Sequence, residues 1–261
     1  MYFSKRVLST FIWLLKADIS VFKKEYVGKV IDTGIWVIIN IVITSYILPS
    51  LGIPSSFGLL LVAGLVASAG LMEVYPNTMS LAADLKGDQT ITYSLTLPLP
   101  SWLVPIKIAT YFALTAASIG IWVLPLAKLL LFNQLSLAAV SWSKLALIFL
   151  LSNMFSGVFA LFLGTMIKDI ATDHTWMRFV FPLWFLGGFQ FTWQALYAFS
   201  PVLAYLDLLN PFLWIMEGTR ISILGQEGNL PFGLCILALV LFIFIIGYMG
   251  ISRLRKKLDF V

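Results

Sequence analysis

Long stretches without a charged residue run from Thr33 to Met72, Ile108 to Ala127, Leu145 to Ile167, Phe179 to Leu206 and Asn229 to Ser252. The first is divided at Pro49-Ser50-Leu51-Gly52-Ile53-Pro54, a charge-free punctuation that suits a tight turn between antiparallel helices. The pattern therefore predicts six apolar spans. They are continuous rather than alternating, unlike the strands of an outer-membrane barrel. A segment in lipid must also satisfy its own backbone hydrogen bonds, so helices are expected and the fold class is all-α.

The segment before the first span has a different period. Phe3, Val7, Phe11, Leu15, Ile19, Phe22 and Tyr26 recur every three or four residues, with Lys5, Arg6, Lys16, Lys23 and Lys24 between them. This spacing predicts an amphipathic helix within residues 1–29, lying in the membrane interface as a plain anchor or touching a partner. Its apolar stretch Val7 to Leu15 ends in Lys16 and Asp18 with no small-residue cleavage site behind it, so the segment is expected to stay in the mature protein.

Composition narrows the class. Of 261 residues 60% are hydrophobic and 11% charged, and mean hydropathy is +0.97. Soluble domains carry about 45–50% apolar and about 25% charged residues, which excludes a soluble protein. Six spans leave no room for an added catalytic domain, so residues 1–261 read as a single transmembrane domain. The net charge of +5 reflects orientation. With both termini cytoplasmic, fourteen Lys and Arg residues fall inside and three, Lys128, Lys144 and Arg220, outside. The inner cations are spread over separate segments, which argues against a nucleic-acid partner.

Candidate chemistry is sparse. One cysteine, Cys235, and one histidine, His174, form neither a disulfide nor a metal cluster, so no metal site and no catalytic residues are expected. Asp32 and Glu73 fall at the inner ends of spans, where a carboxylate is expected to reach water. Gly28-Lys29 lacks the remaining residues of a phosphate-cradling loop, so the chain does not itself hydrolyse nucleotide. Two regions stand out. The longest inner loop, 76–101, carries Asp84, Lys86, Asp88 and then Thr90 to Pro100, with Ile91, Leu95 and Pro98 spaced for one face of a short helix ended by proline. The second begins at Gly187-Gly188 and is too long for one span; it contains Pro201, Asp207 and Pro211 before Glu217 and Arg220.

In these regions the chain resembles the permease subunits of ABC type-2 exporters. The resemblance rests on the order of an amphipathic helix, two spans, the Thr90-Ile91 to Leu95 to Pro98-Leu99-Pro100 loop and four further spans. Leu186-Gly187-Gly188-Phe189, Leu209-Asn210-Pro211, Glu217-Gly218-Thr219-Arg220 and Leu224-Gly225 complete it. Thr92 departs from the acidic residue that many relatives carry.

The resemblance implies a bacterial cytoplasmic membrane protein that works as a dimer, with a second copy or a homologous permease, beside two cytoplasmic ATPase subunits. ATP and Mg would belong to those subunits, and this chain would need no cofactor. It makes 76–101 a coupling loop, with Asp84, Lys86, Asp88, Thr90, Tyr93 and Leu95 as ATPase contacts. It also makes 189–228 an outer segment with two short helices re-entering the outer leaflet. Phe181, Trp184, Phe185, Phe189 and Trp193 crowd the fifth span and are candidates for a translocation path, or are ordinary packing aromatics. Glu217 and Arg220, three apart on one helical face, are expected to pair near the outer surface, as a local pair in preference to a substrate contact. The expected cargo is lipid-like, glycolipid or hydrophobic drug, with polysaccharide as the rival. An integral-membrane enzyme, with Glu73 as its best target, and a non-transporting scaffold are the readings from other classes.

Overall fold

A computed structural model describes residues 5–87, 90–167 and 174–258. It is 84% helix, with no strand among the described residues. Five helices there are long and apolar enough to cross a membrane: α1 (Lys5–Ser50), α2 (Ser56–Lys86), α4 (Leu103–Leu130), α5 (Trp142–Met166) and α10 (Phe232–Leu258). The chain is an integral membrane protein. A short helix, α3 (Thr90–Thr96), follows α2. Between α5 and α10 lie α6 (residues 176–189), α7 (Trp193–Phe199), α8 (Pro201–Asp207) and α9 (Pro211–Leu224).

One expectation changes. The amphipathic segment and the first span are one uninterrupted helix of 46 residues. At about 1.5 Å per residue it is about 69 Å long, more than twice the hydrocarbon core, so one end leaves the apolar layer. The run 179–206 is not one helix but a series of pieces. Pro201 opens one of these pieces, and other prolines distort helices without ending them. A proline clashes with the carbonyl four residues back, and π-helical turns at Ile43–Ile47 and Trp176–Val180 precede Pro49 and Pro182. The α1–α2 connection is the tight turn expected: Leu51 N–H donates to the Leu48 carbonyl and Gly52 adopts φ 95°.

The central helix is α5, packed against α2, α4, α9 and α10. Small residues allow close approach, the usual solution where lipid removes the hydrophobic drive between helices. A Cβ on Gly157 would meet the backbone of Ala109 and Ala113 in α4. Phe155, Phe159 and Phe212 lock α5 to the start of α9 through edge-on ring contacts. Basic residues gather at one end: Lys257 donates to the Ile167 carbonyl, Arg253 lies over Phe162, and Lys107 pairs with Asp18. At the opposite end Lys128 holds the Phe132 and Leu135 carbonyls, and Lys144 lies over Phe232.

Candidate functional site

Two polar assemblies interrupt the apolar bundle. The first is at the basic end. Asp84 Oδ2 accepts from the Ile91 N–H at 3.1 Å, tying the end of α2 to the first turn of α3. Ile91 is buried and Leu95 packs on the core, whereas Tyr93 points outward at 64% exposure. The Ile91–Leu95 face therefore holds α3 onto the bundle, with Leu95 half-buried against it. Lys86 is exposed. Asp88 and the side chain of Thr90 lie outside the described residues.

Beneath α3 is a cavity of about 290 Å³ that includes Asp18, Ser80, Asp84, Lys107 and Tyr111 in its wall. Lys107 Nζ lies 2.6 Å from Asp18 Oδ2, joining α1 to α4. Further along α1, Lys29 Nζ donates to Glu73 Oε2 at 2.7 Å. Glu73 was expected to reach water at a helix end. It is instead buried at 5% exposure where α2 turns, neutralised by a neighbouring helix. Asp32 is exposed, as is His174.

The second assembly surrounds α9, where every residue from Pro211 to Ile223 is buried. Glu217 and Arg220 pair as their spacing predicts, at 3.3 Å, but at 0% and 1% side-chain exposure they lie inside the protein, not at its surface. Their other partners are main-chain atoms. Glu217 Oε1 accepts from the Trp193 N–H at 2.9 Å and Oε2 from the Leu230 N–H at 2.9 Å. Arg220 donates through Nη2 to the carbonyls of Gly188 and Phe189. Helix ends leave N–H and C=O groups without intrahelical partners. Here the carboxylate takes the N–H at the start of α7 and one in the loop before α10, and the guanidinium takes carbonyls at the end of α6. At α6 and α7 each charge also matches the sign of the helix end it meets.

Local sequence explains the breaks. Gly188 has φ 86° and ψ 30°, the left-handed region that ends a helix, and a Cβ on Gly187 would lie 2.7 Å from that of Phe212. Asn210 caps α9 through Oδ1 to the Phe212 N–H, and its Nδ2 donates to the Leu183 carbonyl and Asp207 Oδ1. Trp193 Nε1 donates to the Ala204 carbonyl and its ring meets Tyr205 edge-on, closing the α7–α8 hairpin.

The aromatic candidates divide. Trp184 and Phe189 face the chain's own core, with Trp184 Nε1 on Ser68 Oγ at 2.7 Å and both rings against Trp36. Phe181 is exposed and Phe185 half-buried, with their rings 4.6 Å apart. Trp193 belongs to the α7–α8 hairpin. Cys235 is buried beside Trp214 and Ile221, as a small apolar residue. The cross-helix pairs Lys29–Glu73 and Asp18–Lys107 escape a reading by spacing, because their partners are 44 and 89 positions apart; the only signal is opposite charge near the ends of neighbouring helices. No group of His, Cys, Asp or Glu that could hold a metal ion occurs among the described residues. No family model matches the chain, and no curated protein matches it.

Proposed function

We propose that the chain is the transmembrane subunit of an ATP-driven exporter of the ABC type-2 kind, resident in a bacterial cytoplasmic membrane with both termini cytoplasmic. In this reading the five long helices are joined by a sixth pass made of α6 and α9, and α7 and α8 re-enter the leaflet between them. The Glu217–Arg220 partners supply what such a break requires, since irregular backbone at membrane depth is tolerated only when its polar groups are satisfied. Two copies of the chain, or this chain and a homologous permease, form the path for a lipid-like, glycolipid or hydrophobic drug cargo. Two separate ATPase subunits, with their ATP and Mg, supply the energy.

The observation that carries the reading is α3: a short helix bound by Ile91, Leu95 and Asp84 to the basic end, presenting Tyr93 outward. A knob so fixed transmits motion of a docked partner to α2 and α4 as rigid bodies. Exposed Phe181 and half-buried Phe185 offer an apolar surface to the path or to the second copy. The test is Tyr93→Asp in the full complex, reading ATP hydrolysis and cargo movement together. We expect hydrolysis to become uncoupled from transport while the chain still folds, because Tyr93 packs on the outside. Unchanged assembly and coupling would overturn the docking assignment.

A further inference from the structure

A lateral groove between α4 and α5, closed at its base by α2, has a volume of about 560 Å³, within the range of about 300–1,000 Å³ typical of small-molecule sites. Its floor is apolar and buried, formed by Val66, Leu124 and Leu145. Its rim is exposed and apolar, including Leu129 at 75% and Trp142 at 56%, with Ala146 between the walls. The one charged residue in its lining is Lys128, in the last turn of α4. Lys128 Nζ donates to the carbonyls of Phe132 and Leu135 at 2.6 and 2.8 Å and lies 4.8 Å from the Phe132 ring. An ammonium has three donors, and the ion pairs among the described residues leave this one without a carboxylate. Lysine and tryptophan at helix ends mark the headgroup level of a membrane, where a cation meets lipid phosphate.

We propose that this groove is a binding site for an anionic phospholipid of the adjoining leaflet, with an acyl chain along Val66, Leu124, Ala146 and Phe149 and the phosphate against Lys128. The uncompensated cation at one end of an otherwise apolar channel selects a ligand with one negative end and a long hydrocarbon body. The site is independent of the exporter reading, since it requires only that the helices lie in a bilayer.

The full-length protein is reconstituted in phosphatidylcholine vesicles doped with phosphatidylglycerol carrying a photoreactive acyl chain, and adducts are mapped by peptide mass spectrometry. Adducts are expected on residues 121–149, exceeding those from the matching photoreactive phosphatidylcholine. Lys128→Gln, which keeps N–H donors for the two carbonyls, should reduce that preference about fivefold, the effect of one surface cation on an anionic lipid. Ala146→Trp fills the groove from an exposed position and should remove the adducts for both lipids. Equal labelling of wild type and Ala146→Trp, or adducts located elsewhere, would overturn the proposal. So would oxidative cross-linking of Leu129→Cys into dimers with no lipid adduct, since a second copy would then fill the groove.

Discussion

The basic end of the bundle and the broken segment around α9 each contain buried or half-buried ion pairs, but the pairs are built differently. Lys29–Glu73 and Asp18–Lys107 join intact helices whose backbones are already satisfied, so each charge chiefly answers the other. Glu217 and Arg220 sit one turn apart, and each makes more hydrogen bonds to main-chain atoms than to the other. The first arrangement fixes how two helices lie side by side. The second replaces backbone hydrogen bonds that a continuous helix would have made. An apolar environment tolerates a charge in either case, but only the second charge is required by the path of the chain itself.

The sharpest way to break this comparison is to remove both charges at once. Glu217→Ala or Arg220→Ala alone should lose about 3–5 kcal/mol of stability, the usual cost of leaving one member of a buried pair behind. Replacing an ordinary buried pair with apolar residues of similar size is often neutral. Glu217→Leu with Arg220→Met should not be, because the N–H groups of Trp193 and Leu230 and the carbonyls of Gly188 and Phe189 lose their partners together. Each orphaned buried group costs about 1–3 kcal/mol. Denaturant unfolding in detergent micelles measures this directly, and a double variant as stable as wild type would reduce the assembly to a local pair.

A smaller effect is expected from the bend that delivers those carbonyls. Gly188→Ala places a Cβ in a left-handed conformation at a cost of about 1–2 kcal/mol. Gly188→Asn should lose less, since asparagine visits that region more readily. Equal losses from both would mean that crowding near Arg220 Nη1, 3.4 Å from the Cβ position, decides the matter instead of backbone conformation.

The intact helices were legible in the sequence because a long uncharged run in a membrane has one solution, and the turn at 49–54 announces itself through proline and glycine. Breaks between 179 and 211 were legible in kind, from Gly187-Gly188, Pro201 and Asn210-Pro211, but not in position. Spacing gave the Glu217–Arg220 pair and could not give Gly188, Phe189 or Trp193 as partners, since those contacts span 24 to 32 residues. For α3, periodicity identified an apolar face at Ile91 and Leu95 without saying what it meets. That face meets the bundle, which leaves Tyr93 as the outward residue. Aromatic abundance was least informative: Trp184 is held inside by Ser68, a hydroxyl 116 positions away.

The mildest predictions concern the other half of the comparison and distinguish its two pairs from each other. Glu73 and Lys29 are 6% and 20% exposed in their side chains, Asp18 and Lys107 30% and 10%. Glu73→Gln leaves a largely covered ammonium facing a neutral amide and should lose about 1–2 kcal/mol, with little dependence on salt because the pair is shielded from it. Asp18→Asn acts on the wetter carboxylate but leaves the covered Lys107 ammonium facing an amide, so it should lose about 1 kcal/mol, at the upper end of the range of surface pairs. Its effect should also fade as ionic strength rises and the Debye length falls to about 3 Å near 1 M salt. Unfolding of both variants at low and high salt measures the contrast. A salt-sensitive loss at Glu73 would mean that water reaches the turn of α2, and the carboxylate would then have access to solvent as a helix-end group does.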